Sequence, residues 1–411
     1  MKPKVFKYFL ASCLALILHY ASAQVEPPQP PDPNLKELDL NLSEKLKDLD
    51  IKLKELKELK LDKLDQVMAN VDIKLQNTFK KFENDFEKSF NDLQIQQETG
   101  ELRNTVEKTK TVNKLYKVDA NDKLAIDNQY GNVTVNTWAK NEIKVDVIIK
   151  AYGVDQEEAV SLLNGVNIAE SRQTNLISLT TSIARNKGNW WGIRRKDGKE
   201  ERRGVQVNYQ IYMPAANPLD VTNKYGSTEI ADFRGVLNIN SSYGSFSGQT
   251  LTNPASRIRV RYGSASIKDL KAGNIDVQYG SLKVDKAERL NADIAYSSAK
   301  IGTLSGIGDV HLKYSGGFRI DEVSNKVKDL NINSAYSSVS LGFEPSASFD
   351  FDVTVNYGGF KYDNNRVNIV STTPDENAKG FNPSKNYKGH LGKSSNSKII
   401  IKSNYGSVNF Q

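Results

Sequence analysis

A tyrosine followed by glycine or serine recurs through the last two-thirds of the chain. From Tyr225 to Tyr357, successive tyrosines of this pattern lie 17 to 22 residues apart. A short, nearly constant period indicates one structural unit stacked on copies of itself. The repeat contains Tyr225, Tyr243, Tyr262, Tyr279, Tyr296, Tyr314, Tyr336, Tyr357 and Tyr405, and Tyr130 precedes them in an isolated copy.

Apolar residues alternate on both sides of each tyrosine, as Ile275 and Val277 before Tyr279 and Leu282 and Val284 after it illustrate. Alternation with period two predicts a half-buried strand. The parity changes by one residue between the two halves, so the chain must bend there. We predict that the glycine supplies the backbone freedom for this corner. We call each unit of strand, tyrosine corner and strand a rung.

Such a unit is too short for a parallel crossover through a helix or for a propeller blade. The predicted fold is therefore mainly β: a parallel β-solenoid (a single-chain β-helix, expected to be right-handed) with a long N-terminal amphipathic α-helical segment. The tyrosines would then form a ladder. Either the ladder only packs and stiffens the coil, or it is an aromatic platform for sugars. Because the tyrosines share parity with buried isoleucines, we favour packing. Gly316-Gly317 predicts a one-residue insertion at the Tyr314 corner.

Composition divides the chain into five parts. They are a signal peptide (1–23), a proline-rich spacer (24–34), an amphipathic helical or coiled-coil-like segment (35–115), a β-rich entry region (116–217), and the tyrosine-repeat solenoid (218–411) with a loop insertion at 364–397. Within the entry region, the sequence predicts a short helix after Asp155 as N-cap. It also predicts two strands, 176–183 and 205–213, suited to antiparallel pairing. The last rung, 398–411, is predicted to expose its strand edge.

Residues 1–23 have the lysines, short apolar run and small-residue cleavage site of a secretory signal. We therefore expect export to the periplasm, the outer membrane surface or the extracellular space. Cleavage after Ala23 would lower the net charge from +7 to +4 and remove the only cysteine. Alternatively, Cys13 lies in a sequence similar to a bacterial lipoprotein box, and its lipidation would attach the protein to a membrane.

Leucines and phenylalanines recur every three or four residues over 35–97. This spacing predicts an apolar stripe on a long helix, which needs a partner. The segment could self-associate as a coiled coil, fold back as a hairpin, lie along the solenoid or lie on a membrane surface. Balanced acidic and basic residues disfavour the membrane surface. No compact basic stripe with aromatics indicates nucleic acid.

Residues that could perform catalysis are sparse. The three histidines do not have the spacing of metal ligands. Asp269, Asp276, Asp285 and Asp293 lie at offsets that we do not expect to stack in one column. We therefore predict a protein that is not an enzyme and has no catalytic residues, metal or cofactor.

The loop at 185–204 contains the most unusual local sequence: Trp190 and Trp191, flanked by glycines and followed by Arg194, Arg195 and Lys196. Exposed adjacent tryptophans indicate a contact site for a glycan, a lipid headgroup or a protein, with the basic residues pairing anions. The alternative, which we favour, is that the tryptophans fold back and cap the solenoid core.

The segment Asp127-Asn128-Gln129-Tyr130-Gly131-Asn132-Val133-Thr134-Val135, and later Asn223-Lys224-Tyr225-Gly226-Ser227, resembles the adhesin-like family of exported bacterial β-strand-repeat proteins, a domain of unknown function. The resemblance covers about 118–411 and implies an adhesin-like β-solenoid in the envelope, without a ligand or catalytic residue.

We therefore expect a non-enzymatic adhesin-like protein that binds a surface or envelope protein or glycan. The alternatives are a periplasmic structural or regulatory scaffold that docks a membrane partner through its helix and, less favoured, a polysaccharide-processing β-helix enzyme.

Overall fold

The computed structural model describes residues 105–184, 192–196, 199–374 and 382–411. The side chains of 192–202 are outside that description. The described chain is mainly β, with one short helix, and its strands form one mixed sheet. The predicted signal peptide and spacer, and residues 35–104 of the predicted helical segment 35–115, lie outside the described residues. The end of that segment was predicted wrongly, because a strand begins at Val106.

The entry region contains eight strands and the helix. They are β1 (Val106–Lys117), β2 (Lys123–Gln129), β3 (Val133–Trp138), β4 (Glu142–Gly153), α1 (Gln156–Asn164), β5 (Val166–Gln173), β6 (Leu176–Ile183), β7 (Gly192–Lys196) and β8 (Lys199–Pro214).

Twelve strands build the rungs from Tyr225 to Tyr336. They are β9 (Leu219–Lys224), β10 (Thr228–Ile230), β11 (Leu237–Ser242), β12 (Phe246–Leu251), β13 (Arg257–Arg261), β14 (Ser264–Leu270), β15 (Asn274–Gln278), β16 (Ser281–Ala295), β17 (Ser298–Lys313), β18 (Gly317–Val323), β19 (Asp329–Ala335) and β20 (Val339–Phe343).

Six strands complete the chain. They are β21 (Phe349–Asn356), β22 (Phe360–Lys361), β23 (Val367–Thr373), β24 (Ser384–Leu391), β25 (Lys398–Asn404) and β26 (Val408–Phe410).

Neighbouring rungs pair in parallel on both sides of the tyrosine corner. Before the corner, β2, β9, β11, β13 and β15 follow one another, and the series continues through β16, β17 and β19. After the corner, β3, β10, β12, β14 and β16 form the second series, continued by β17, β18 and β20. Every strand within these series therefore has both backbone edges paired.

The core lies between the two series of strands, because apolar side chains of one parity point inward at each rung. Ile258 faces Ile275, and Val260 faces Val277, across β13 and β15, and all four are buried. At the Tyr314 corner, Gly317 takes the register position that a residue two after the tyrosine holds elsewhere, opposite Ser298. This register confirms the predicted one-residue insertion.

The first rung, β2 and β3, is covered by strands that depart from the repeat. We expected 176–183 and 205–213 to pair with each other, and this was wrong. β6 pairs in parallel with β2, and β8 pairs in parallel with β3. The antiparallel partner of β6 is β5, which precedes it directly in the chain, and that of β8 is β4, which lies four strands earlier. Asp155 caps α1 as predicted, its carboxylate accepting a hydrogen bond from the Glu158 N–H at 2.8 Å.

At the other end, the prediction that the last rung exposes its edge was wrong. β25 lies between β19 and β21, and β26 lies between β20 and β22. The terminal rung is instead that of Tyr357, and β24 pairs antiparallel with its strand β21. The loop predicted at 364–397 was also wrong in part, since β23 and β24 lie within it and pair antiparallel.

Candidate functional site

The corner of each rung is made by the tyrosine itself. All ten tyrosines have a positive φ, between 49° and 60°. An L-residue in this left-handed conformation is uncommon and costs roughly 1 kcal/mol or more. Nine of the ten tyrosine N–H groups donate to the carbonyl that precedes the next tyrosine in the stack, as from Tyr225 to Ser242 at 3.0 Å and from Tyr243 to Arg261 at 3.0 Å. Tyr357, at the end of the stack, donates to the Pro383 carbonyl at 2.8 Å instead. These bonds hold the strained corner in place.

The glycine after the tyrosine has a different function from the one we predicted. Gly226 and Gly244 do not have a positive φ, so the bend does not depend on their freedom. They are required because the rungs approach closely: a Cβ on Gly244 would lie 2.1 Å from the carbonyl oxygen of Gly226. Where a serine replaces this glycine, its hydroxyl bonds the adjacent rung. The Gly280 N–H donates to Ser297 Oγ at 3.0 Å, for example.

The tyrosine rings form one continuous stack. Neighbouring ring centroids are 4.8–5.2 Å apart, and the ring planes differ by 4–16°. The rings are half-buried on the outside of the corner. Because each inner ring has neighbouring rings against both faces, a sugar cannot stack on those faces. The ring edges and hydroxyls remain as the chemistry of this surface.

Burial in the stack raises the pKa of three of its phenols, those of Tyr243, Tyr279 and Tyr296. Burial, and secondly the neighbouring phenols of Tyr262 and Tyr225, raise the pKa of Tyr243 to about 12. Burial raises the pKa of Tyr279. At neutral pH the surface therefore presents neutral hydroxyls, each able to donate and accept hydrogen bonds.

A second row of hydroxyls runs beside the tyrosines. This row was not predicted from the sequence. A serine lies two residues after most of the tyrosines, and Ser264, Ser281 and Ser298 are direct register partners. The half-buried members are Ser245, Ser264, Ser281, Ser298, Ser338 and Ser407. The recurring Tyr-Gly-Ser triplet was the available signal. We call the tyrosine and serine rows together the corner stripe.

The prediction that the aspartates do not stack was wrong for one pair. Asp276 and Asp293 are direct register partners, and the same column places Arg259 before them and His311 after them. Asp276 lies 3.9 Å from both Arg259 and Arg261, and Asp293 lies 3.4 Å from the His311 ring. The two carboxylates are therefore adjacent, with arginines beside Asp276 and the His311 ring beside Asp293, as in ion pairs on a protein surface.

Buried polar side chains connect the first two rungs. Asn223 donates to the carbonyls of Gly131, Gly226 and Ser227 at 3.0–3.1 Å. Asn128 donates to Asn223 Oδ1 at 3.2 Å, and Thr181 donates to Asn128 Oδ1 at 3.0 Å.

This network continues to the hydroxyl of Tyr209, which lies 2.8 Å from Thr181 Oγ1. Burial raises the pKa of Tyr209 to about 12. Asn128 and Asn223 stand two residues before their tyrosines, where other rungs have aliphatic residues or serine, and this substitution was the signal that the sequence offered.

Trp190 and Trp191, the predicted contact residues, lie outside the described residues. The loop predicted at 185–204 was wrong from Gly192 onwards. Arg194, Arg195 and Lys196 belong to β7, whose backbone pairs antiparallel with the first part of β8. Along the chain, this hairpin lies between β6, which covers β2, and the part of β8 that covers β3. The next rung has its tyrosine corner at the corresponding position, between β2 and β3. The contact site in this hairpin stays a prediction.

Two features are absent from the part of the chain that the structure describes. It contains no helix with the length and apolar character that crossing a bilayer requires. It also contains no group of three or more histidine, cysteine, aspartate or glutamate side chains placed to hold a metal.

No protein-family model and no curated protein matches the chain. Among solved structures it is similar to a candidate cell adhesion protein of Clostridium sporogenes, with 12% identity, a TM-score of 0.20, and coverage of 74% of this chain and 99% of that chain. A candidate adhesin of Bacteroides fragilis has 12% identity, a TM-score of 0.25, and coverage of 74% and 97%. A candidate lipid binding protein of Parabacteroides distasonis has 12% identity, a TM-score of 0.30, and coverage of 73% and 96%. At these values, the similarities carry no argument about the ligand of this chain.

Proposed function

We propose that this protein is an exported, non-enzymatic binding protein of adhesin-like character. Its described region would be a parallel β-solenoid that presents the corner stripe to an extended, hydroxyl-rich polymer, a polysaccharide of a cell surface or envelope. The observation that carries the proposal is the repeat of the stripe, with stacked rings 4.8–5.2 Å apart over ten rungs.

The chemistry of the stripe favours a neutral polymer. Phenol and serine hydroxyls donate and accept hydrogen bonds, as sugar hydroxyls do. One such bond contributes only about 0.5–1.5 kcal/mol. A row of equivalent sites lets many weak contacts act together on one long ligand, which raises the overall affinity far above that of one contact. A monosaccharide would gain none of this advantage.

A glycan array followed by titration with the recognised polysaccharide tests the site. The variant combines Tyr262→Phe, Tyr279→Phe, Ser264→Ala and Ser281→Ala, which removes four hydroxyls and keeps the ring stack. We expect roughly tenfold weaker binding or more. Tyr212→Phe, which removes a half-buried hydroxyl outside the ladder, is the matched control and should bind as the unaltered protein does. Equal binding by both variants would exclude the corner stripe.

The same array tests the predicted hairpin site through Trp190→Ala/Trp191→Ala. If only this variant loses binding, the hairpin and not the stripe is the contact site. Degradation of any recognised polysaccharide by the purified protein would overturn the non-enzymatic assignment.

Export and surface display are a separate part of the proposal and rest on the sequence of residues 1–23. Cell fractionation with external protease tests them. Digestion of the β region on intact cells supports display, whereas complete protection favours the periplasmic scaffold.

A further inference from the structure

The rung of Tyr405 is inserted between two rungs that precede it in the chain. β25 pairs over seven residues with β19 and over seven with β21, parallel on both sides. The ring of Tyr405 stacks on Tyr336 and Tyr357, with centroids 4.8 Å apart in both cases. We call residues 398–411 the inserted rung, and the gap that it fills, between β19–β20 and β21–β22, the slot.

Both walls of the slot bond the inserted rung through backbone groups. On one wall, the Tyr336 N–H donates to the Asn404 carbonyl at 2.8 Å, and the Val339 N–H donates to the Ser407 carbonyl at 2.9 Å. On the other wall, the Tyr405 N–H donates to the Asn356 carbonyl at 2.8 Å. Withdrawing the inserted rung would leave two aligned, unpaired parallel edges, which is the arrangement that recruits strands from other chains.

Apolar side chains also specify the occupant of the slot. Ile399 and Ile401 are fully buried in it. Phe410 is buried against the rings of Phe343 and Phe360, with centroids 5.0 and 4.9 Å apart. A strand that fills the slot must therefore present this alternation of apolar residues together with a tyrosine corner. Residues 398–411 have that pattern in whichever copy of the chain they belong to.

The path of the chain separates the inserted rung from the strand before it. β24 pairs with one edge of β21, and β25 pairs with the opposite edge. Residues 392–397 connect them around the end of β21, where Ser395 N–H donates to Asp350 Oδ1 at 3.0 Å and Ser395 Oγ donates to the Ser348 carbonyl at 2.8 Å. Among the described strands, β25 has no hairpin partner next to it in sequence. The slot is also synthesised before its occupant, so it can form while the inserted rung is still outside it.

We propose that the slot accepts the inserted rung of a second copy of this chain, so that copies are joined by exchange of residues 398–411. The exchange reproduces every bond of the slot, because the occupant is chemically identical. At low protein concentration, insertion within one chain dominates, because the local concentration of the tethered rung at its own slot exceeds the concentration of rungs from other chains. Exchange increases when chains fold together at high concentration.

Disulfide trapping in the full-length protein tests this exchange. Ser334 of β19 and Ser403 of β25 are buried register partners. Adjacent strands lie about 4.8 Å apart, within the Cα separation that a disulfide spans. All variants carry Cys13→Ser. Chains with Ser334→Cys alone and chains with Ser403→Cys alone are unfolded together, refolded over a range of concentrations, oxidised and separated on a non-reducing gel.

We expect a disulfide-linked dimer whose yield rises with the concentration during refolding. Ser241→Cys is the matched control, since Ser241 is a buried serine two residues before the tyrosine of a rung outside the slot. Its mixture with Ser403→Cys should give no dimer. A peptide of residues 398–411 added during refolding should suppress the specific dimer.

A single chain with both Ser334→Cys and Ser403→Cys should form the disulfide internally and stay monomeric at low concentration. The proposal is overturned if this internal bond forms while the mixed chains give no more dimer than the control. It is equally overturned if the internal bond fails to form, because the slot would then have another occupant.

Discussion

Two groups of rungs use the same tyrosine corner, but only one group is stacked in the order of the chain. The first group runs from Tyr225 to Tyr336, and the second consists of the rungs of Tyr357 and Tyr405. In the first group, the order of the rungs in the stack is their order along the chain. In the second group, Tyr405 stands between Tyr336 and Tyr357. The position of a rung in the stack is therefore specified by its strand register, its pattern of buried side chains and the stacking of its tyrosine. Rungs can meet these three requirements without following one another along the chain.

The two limits of the stack also differ from its middle. Inner rungs have parallel neighbours on both edges, which would allow the stack to continue without limit. Antiparallel strands end it: β4 and β5 pair with β8 and β6, the strands that cover the first rung, and β24 pairs with β21 in the rung of Tyr357. Covering an edge with a strand of opposite direction and different spacing prevents open-ended pairing.

The largest effect that we expect is the loss of the stacked rungs at high pH. The pKa of Tyr243 and of Tyr296 is raised to about 12 in the folded chain, above about 10 for an unfolded tyrosine. The unfolded chain therefore loses phenol protons first, and stability falls as the pH rises from 10 to 12. Tyrosinate absorbance and circular dichroism measured together should change in one transition above pH 10. Replacing both phenols, in Tyr243→Phe/Tyr296→Phe, should move this transition to higher pH, and an unchanged transition would contradict the raised pKa values.

The second effect compares a glycine directly after a corner tyrosine with a glycine one position further on. Gly244→Ala places a Cβ 2.1 Å from a backbone oxygen, and we expect it to cost about 3 kcal/mol or more in the free energy of unfolding. Gly359→Ala, next to the Tyr357 corner, meets no heavy atom within 4 Å among the described residues apart from its chain neighbours and should change stability by about 0.5 kcal/mol or less. Urea unfolding of both variants measures the difference. Equal losses would mean that close rung contact is not the reason for glycine.

The third effect concerns the polar interior of the first rungs. Asn223→Ala removes the donors to three buried carbonyls, and we expect it to destabilise the protein by about 2–3 kcal/mol. Asn333→Ala, an exposed asparagine of β19, is the matched control and should cost about 0.5 kcal/mol or less. Thermal unfolding distinguishes them. If Asn223→Ala unfolds at the temperature of the control, the hydrogen bonds of this network do not stabilise the first rungs.

Local patterns in the sequence determine the parts of this structure that were predictable. Period-two alternation around Tyr279 gives its two strands, and the glycine pair after Tyr314 gives the insertion. A repeat also predicts that equivalent residues stack, which we applied to the tyrosines but not to Asp276 and Asp293, although both stand three residues before their tyrosines.

Long-range pairing was not predictable in the same way. Nothing local to residues 398–411 distinguishes a rung at the end of the stack from one between two others, because both positions require the same alternation. The positive φ of the tyrosine was also hidden. Glycine is the usual residue for that conformation, and here the glycine is needed for close packing instead.

The smallest effect separates two contributions of a corner tyrosine to stability, the stacking of its ring and the hydrogen bonding of its hydroxyl. Tyr262→Leu keeps the side chain apolar and the same strained φ but removes two ring contacts, with Tyr243 and Tyr279. Aromatic pairs contribute about 0.5–1.5 kcal/mol each beyond burial, so we expect a loss of about 1–2 kcal/mol. Tyr262→Phe keeps both contacts and should lose about 0.5 kcal/mol or less. Urea unfolding of the two variants measures this order. If Tyr262→Phe loses as much as Tyr262→Leu, the hydroxyl row and not ring stacking stabilises the inner rungs, and the corner stripe would be a structural element before it is a binding surface.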